Sequence, residues 1–135
     1  MSRALVLMID DNEDDVELLA TVSSKGTSGF DFSYSLDPAE GLARLRAEGS
    51  PIRLVLLDLK MPLRDGKDVL AEIRRESSLR HVPVVVFSSS DAPSDVRASY
   101  QLGANAYVRK PMDLDGWRAF WDRLADFWLK TATLP

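Results

Sequence analysis

Residues 54–62 read LVLLDLKMP, four apolar residues running straight into Asp58. A continuous apolar run of this length suits a strand buried on both faces, as in a parallel sheet. The same pattern stands near the N-terminus, where residues 5–12 read LVLMIDDN and end on Asp10 and Asp11. If both strands are central in one sheet, their carboxylates meet at a single sheet edge. Carboxylates gathered there need a proton or a cation. A nucleophilic carboxylate beside a metal ion points to phosphoryl chemistry.

Working outward, five apolar runs alternate with five helical segments. The runs cover residues 4–9, 30–36, 54–57, 82–87 and 104–108. In the second, Phe30, Phe32, Tyr34 and Leu36 alternate with polar residues, which fits a half-exposed strand at a sheet edge. Asp37-Pro38-Ala39-Glu40 carries the start signals of a helix: cap, first-turn proline and capping-box glutamate. Asp65 or Gly66 opens a third helix to about Ser77, and a fourth is expected from Asp91 to Leu102, stopped by Gly103. Asp113 opens a long last helix, in which Leu114, Trp117, Trp121, Leu124 and Trp128 form one apolar stripe. Five βα units in this length imply an α/β domain of three layers around a parallel sheet. The expectation is a flavodoxin-like, doubly wound (βα)5 fold with strand order 2-1-3-4-5. A single domain is expected over residues 1–135, with a short tail from about 131.

The 135 residues are enough for one common-sized domain with a real core. The net charge of −4, with basic residues spread among acids, argues against a nucleic-acid partner. Without cysteine, disulfides and thiolate metal sites are excluded, and the single His81 cannot build a zinc site alone. No apolar stretch is long enough to span a bilayer, and the first run is too short for a signal peptide. No membrane association and a cytoplasmic location are therefore expected.

In a doubly wound sheet, ligands bind at the carboxyl ends of strands where the strand order reverses. In the order 2-1-3-4-5 that point lies between the first and third strands, the two that end in Asp10-Asp11 and Asp58. Three carboxylates within ~4 Å would repel by a few kcal/mol per pair at an effective dielectric of ~20. An oxygen-only ligand set selects a hard cation, Mg²⁺ first, with Mn²⁺ or Ca²⁺ as substitutes. Acids after a strand also cap helices, and Glu13, Asp14 and Asp15 suit the positive end of the first one. The fourth strand ends at Ser88, followed by Ser89 and Ser90, and the fifth at Lys110-Pro111. A hydroxyl and an ammonium at the same edge make an anion clamp around Asp58.

With these motifs in order, the chain resembles the receiver domain of two-component response regulators over essentially all of its length. The motifs are Asp10-Asp11, the run Leu57-Asp58-Leu59-Lys60-Met61-Pro62, Ser88, Tyr107 and Lys110-Pro111. The resemblance implies that Asp58 accepts a phosphoryl group from a phosphohistidine on a sensor histidine kinase. It implies metal ligation by Asp11 directly, by Asp10 mainly through water, and by Asp58 and the backbone carbonyl of Lys60. Lys110 would bind the phosphoryl group, and its bond to Pro111 would be cis. Ser88 and Tyr107 would be the switch residues, Ser89 would tune the acyl phosphate, and the fourth helix, fifth strand and fifth helix would form the switching face. The end of the chain, residues 127–135, further resembles the tail of stand-alone regulators paired with bacterial phytochrome kinases.

Only five residues follow the last helix, so output is expected through a contact made by the receiver itself. Phe120 and Phe127 lie seven residues apart on the shoulder of the apolar stripe, where full cover is hard. They are expected to help form a homodimer or partner surface, joined by Val96 and Tyr100. Two rival readings remain. An aspartyl-phosphate hydrolase of the haloacid dehalogenase type also uses a strand-end Asp and Mg²⁺, but the second Asp it needs two residues on is replaced here by Lys60. A receiver that docks without phosphorylation would not need the full set of Asp11, Asp58, Ser88 and Lys110.

Overall fold

The computed structural model describes residues 4–25, 29–62 and 64–135; positions 1–3, 26–28 and 63, inside the expected domain of 1–135, lie outside this description. Five strands alternate with five helices. They are β1 (Leu5–Ile9), α1 (Glu13–Ser24), β2 (Asp31–Ser35), α2 (Pro38–Arg46), β3 (Ile52–Leu57), α3 (Gly66–Arg75), β4 (Val84–Ser88), α4 (Pro93–Gln101), β5 (Ala106–Arg109) and α5 (Leu114–Leu124). All strands pair in parallel, in the expected order β2-β1-β3-β4-β5.

The continuous apolar runs are explained by the two covers of the sheet. Leu7, Ile9, Val55, Leu57, Val84 and Val86 point to one face, against Leu42 of α2 and Val69, Leu70 and Ile73 of α3. Val6, Met8, Leu54, Leu56, Val85 and Phe87 point to the other, against Val16 and Leu19 of α1 and the aromatics of α5. Successive residues alternate between faces, yet both faces are dry, so no polar residue interrupts the run. Each fully buried Leu or Phe contributes about 1.5–3 kcal/mol. β2, at one edge, is the strand that alternates apolar and polar, as expected.

The α5 side is aromatic. The Phe87 ring lies parallel to Phe120 at 4.2 Å between centroids and edge-on to Trp117 at 5.2 Å. Phe32 meets Trp121 edge-on at 5.9 Å. Phe120 is therefore buried, contrary to the expectation that it would be hard to cover: Phe87, one residue before the end of β4, supplies the missing cover. Leu114, by contrast, is exposed at the first turn of α5, ahead of the point where the stripe meets the sheet.

Several boundaries differ from those expected. β5 starts two residues late because the Ala104 amide is committed to the Ser99 carbonyl that ends α4. α3 stops at Arg75, where Glu76 turns to extended backbone and its carboxylate is held by Arg46 of α2. α4 begins at Pro93, not Asp91, and its N-cap, Ala92, has no side chain to accept a bond. Pro93 sets the helical φ there, while the nearby Ser90 hydroxyl donates to Asp95 at 2.6 Å. The last helix is not α-helical to Trp128. It changes at Leu124 into a π-helical segment, Ala125–Thr131, closed by the Thr131 hydroxyl on the Asp126 carbonyl and the Ala132 amide on the Phe127 carbonyl. The Lys110–Pro111 bond is trans rather than cis, as are all peptide bonds of the described residues. The trans form is the intrinsically favoured one, by about 0.5–1 kcal/mol before proline.

Candidate functional site

The sheet ladder continues one bond past the strand ends and fixes the acidic tips. The Asp10 amide donates to the Ser35 carbonyl at 3.1 Å, Asp58 to Ile9 at 3.1 Å, and Lys110 to Ser88 at 2.8 Å. In register, Ile9 stands opposite Leu57, so Asp10 and Asp58 leave adjacent strands at the same level. Asp10, Asp11 and Asp58 each present a carboxylate oxygen within 4.8 Å of the others. Asp10 and Asp58 are buried and Asp11 is half-buried. This is an all-oxygen donor set without nitrogen or sulfur, which fits Mg²⁺ or another hard divalent ion.

Among the described residues, the Lys110 ammonium faces this cluster. Lys110 Nζ lies 2.7 Å from Asp10 Oδ2, 2.7 Å from Asp15 Oδ2 and 3.6 Å from Asp58 Oδ2. Burial pushes the Asp10 carboxyl up to about 6; the Lys110 charge and hydrogen bond oppose this, and the Asp58 charge adds to it. Burial alone would lower the Lys110 ammonium, but Asp10, Asp15 and Asp58 outweigh it and hold the pKa above its ordinary value. Three carboxylates and the Lys110 ammonium leave the pocket short of positive charge, which a divalent ion would fit.

The other expected residues lie around this cluster. Ser88 is fully buried, and its hydroxyl oxygen accepts from the Ser90 amide at 3.2 Å. Ser89 is exposed. Tyr107 is half-buried and donates its hydroxyl to the Ser90 carbonyl at 2.8 Å, while its amide donates to the Tyr100 hydroxyl. The Lys60 side chain turns away from the acids, with Nζ 3.3 Å from Asp95 Oδ2. Val96 is half-buried, while Tyr100 and Phe127 are exposed at 49% and 54%. Phe127 lines an apolar groove with Val108, Phe120, Leu124 and Trp128 on the α5–β5 side, away from the acidic cluster.

Sequence reasoning missed two acids. Acids at this position suit a helix cap, but Asn12 takes that role by accepting from the Asp15 amide, which leaves the Asp15 carboxylate for Lys110. Asp95 was not singled out. It is buried on α4, accepts from Lys67 Nζ of α3 at 2.8 Å and from Ser90, and lies beside Lys60. Those partners come from three separate segments, so no local pattern marks it. Lys67, then Ser90, hold its carboxyl well below the usual range. A lowered folded-state pKa stabilises fully above the ordinary value of 3.8 and loses that contribution as acid approaches the folded value. Asp95→Asn is expected to melt lower than the wild type at neutral pH, with the gap closing below about pH 4. Melting curves across that range check this; a gap that does not change with pH contradicts it.

Comparison with known proteins agrees with the geometry. The family model for the response regulator receiver domain matches residues 6–119. Response regulator Rcp1 of Synechocystis sp. strain PCC 6803 is 35% identical over 136 residues, covering 97% of this chain and 92% of its own. The crystal structure of the phosphorylated cyanobacterial phytochrome response regulator RcpA superposes with a TM-score of 0.90 at 34% identity, over 99% of each chain. The Mn²⁺-bound form of Rcp1 gives 0.86 at 35% identity, over 98% of this chain and 99% of that one. Acidic strand tips, a facing lysine and a buried serine on a 2-1-3-4-5 sheet thus coincide with the sequence match, and the chain belongs to the response regulator receiver domain family of two-component signalling.

Proposed function

We propose that Asp58 is the phosphoacceptor, taking its phosphoryl group from a phosphohistidine on a sensor histidine kinase. An Asp58 carboxylate oxygen attacks phosphorus, the phosphorus–nitrogen bond breaks, and the imidazole leaves with its electron pair. The observation that carries this reading is Lys110 Nζ, 3.6 Å from Asp58 Oδ2 and buried with it. A buried ammonium at that distance is placed to meet an oxygen of an incoming phosphoryl group. Asp10, Asp11, Asp58 and the Lys60 carbonyl would hold Mg²⁺, which supplies charge to the phosphoryl oxygens. The Ser88 hydroxyl, now accepting from Ser90, would turn to donate to a phosphoryl oxygen, with Ser89 exposed beside it. Since Ser90 also accepts from Tyr107, that movement would reach β5 and α4.

The kinase is proposed to be of the phytochrome type, on the strength of the likeness to RcpA and Rcp1. The protein would promote only its own phosphorylation and dephosphorylation. Among the described residues no helix is long and apolar enough to cross a membrane. Intact-mass measurement with acetyl phosphate tests the phosphoacceptor reading. The expected result is a gain of one phosphoryl group, lost when EDTA removes the metal. No gain, or continuous turnover of the donor as in a hydrolase, overturns it.

Output is proposed to pass through a homodimer or partner contact on the α4–β5–α5 face. Phe127 and Tyr100 are its exposed apolar members and Val96 is at its margin, while Phe120 serves as buried support for the groove. Light scattering on wild type and Phe127→Asp is expected to show a dimer reduced to monomer. A monomeric wild type, or an unaffected variant, removes this surface.

A further inference from the structure

The ammonium of Lys110 has three protons to donate. Two go to Asp10 and Asp15, each at 2.7 Å, and Asp58 stands back at 3.6 Å. Asp10 has other claims on it: its Oδ1 accepts from the Asn12 amide at 2.9 Å, and it belongs to the three-carboxylate cluster. Asp15 stands outside that cluster. Its backbone is in the first turn of α1, a helix anchored by Val16 and Leu19 in the core. Asn12 already caps that helix, so the Asp15 carboxylate has no capping duty and reaches across to Lys110, the residue after β5.

We infer that Asp15 is a positioning residue for phosphoryl uptake: with Asp10, it holds the Lys110 ammonium beside Asp58 without letting it close on the nucleophile. The inference rests on the phosphoacceptor reading and deepens it. Two consequences follow from the geometry. The Asp58 oxygen stays free of a direct hydrogen bond to the ammonium, so its lone pair remains available for attack. The third proton of Lys110 also stays directed to the place where a phosphoryl oxygen would arrive. If Asp10 turns toward a cation, Asp15 is the anchor that remains. Without it, the ammonium is free to settle on Asp58 and mask the nucleophile. Small misplacements of a reacting or assisting group cost rate out of proportion to the distance.

The test uses the full chain, saturating Mg²⁺ and acetyl phosphate, and follows the rate of phosphoryl uptake. Asp15→Asn is expected to slow uptake about tenfold. Its Mg²⁺ affinity by titration calorimetry and its melting temperature should stay near wild type. Asp15→Glu should recover part of the rate. In a Lys110→Ala background, adding Asp15→Asn should change nothing further, because the group it positions is gone. Uptake at the wild-type rate in Asp15→Asn overturns the inference. So does an equal loss in the Lys110→Ala background, or a matching fall in Mg²⁺ affinity, which would make Asp15 a partner of the metal instead. A wild type that takes up no phosphoryl group sinks the phosphoacceptor reading itself; a normal wild type with an unaffected variant sinks only this role for Asp15.

Discussion

Asp58→Asn is expected to take up no phosphoryl group and yet to melt higher than the wild type. The loss of function follows from chemistry: an amide oxygen lacks the charge and nucleophilicity of a carboxylate, and Asp10 is drawn off by Lys110 and Asn12. The gain in stability follows from charge. Without a divalent ion, Lys110 faces three acids, Asp10, Asp15 and Asp58. Burial is the main cause that raises the Asp10 carboxyl, and the nearby Asp58 charge adds to it, as repulsion between the two requires. Removing the Asp58 charge leaves the two closer acids paired with Lys110. The release of repulsion is on the order of 1 kcal/mol after the lost Lys110 attraction is set against it. That corresponds to a rise of roughly 3–5 °C for a domain of this size. Thermal melts in EDTA and intact-mass assays with Mg²⁺ read both halves. A variant that phosphorylates, or one that melts lower, counts against the arrangement of the site.

Gly66→Ala should have the largest effect on stability among single-atom additions near the site. A Cβ built at Gly66 would lie 2.1 Å from the Asp58 carbonyl oxygen and 2.7 Å from the Leu59 Cα. Both are backbone atoms, so no side chain can swing aside. The Gly66 amide also donates to the Leu59 carbonyl at 2.9 Å, which ties the start of α3 to the strand exit that carries Asp58. An added methyl must push the helix and the acceptor apart. The expected cost is at least about 3 kcal/mol, comparable to severe overpacking, or roughly a 10 °C drop in melting temperature. Phosphoryl uptake should fall as well, because the same displacement moves Asp58 relative to Lys110. A melting temperature within about 2 °C of wild type would contradict the close approach.

The sheet and its acidic edge were legible because their signals are local. Apolar runs at 5–9 and 54–57 are uninterrupted, each leads directly into its acids, and strand order follows from the βα repeat. What could not be read depends on contacts between distant segments. Phe120 looked exposed from helix periodicity alone, and only the stacking on Phe87 of β4 shows its cover. Asp15 looked like a cap because acids at a helix start usually act so, and Asn12 took that duty by a single hydrogen bond. Asp95 owes its burial to ammonium groups from α3 and the β3–α3 loop, which periodicity on α4 cannot report. The change to π-helix after Leu124 depends on bonds five residues apart, to which the apolar stripe is blind.

The most direct measurement is to locate the phosphoryl group chemically. Wild-type protein phosphorylated by a small donor in Mg²⁺ can be reduced with borohydride, which converts an acyl phosphate to a stable alcohol, and then mapped by peptide mass spectrometry. Modification at residue 58 alone, and only when the divalent ion is present, is the expected result. A label on Ser88, Asp10, Asp11 or any other residue, or one that forms without the metal, would contradict it.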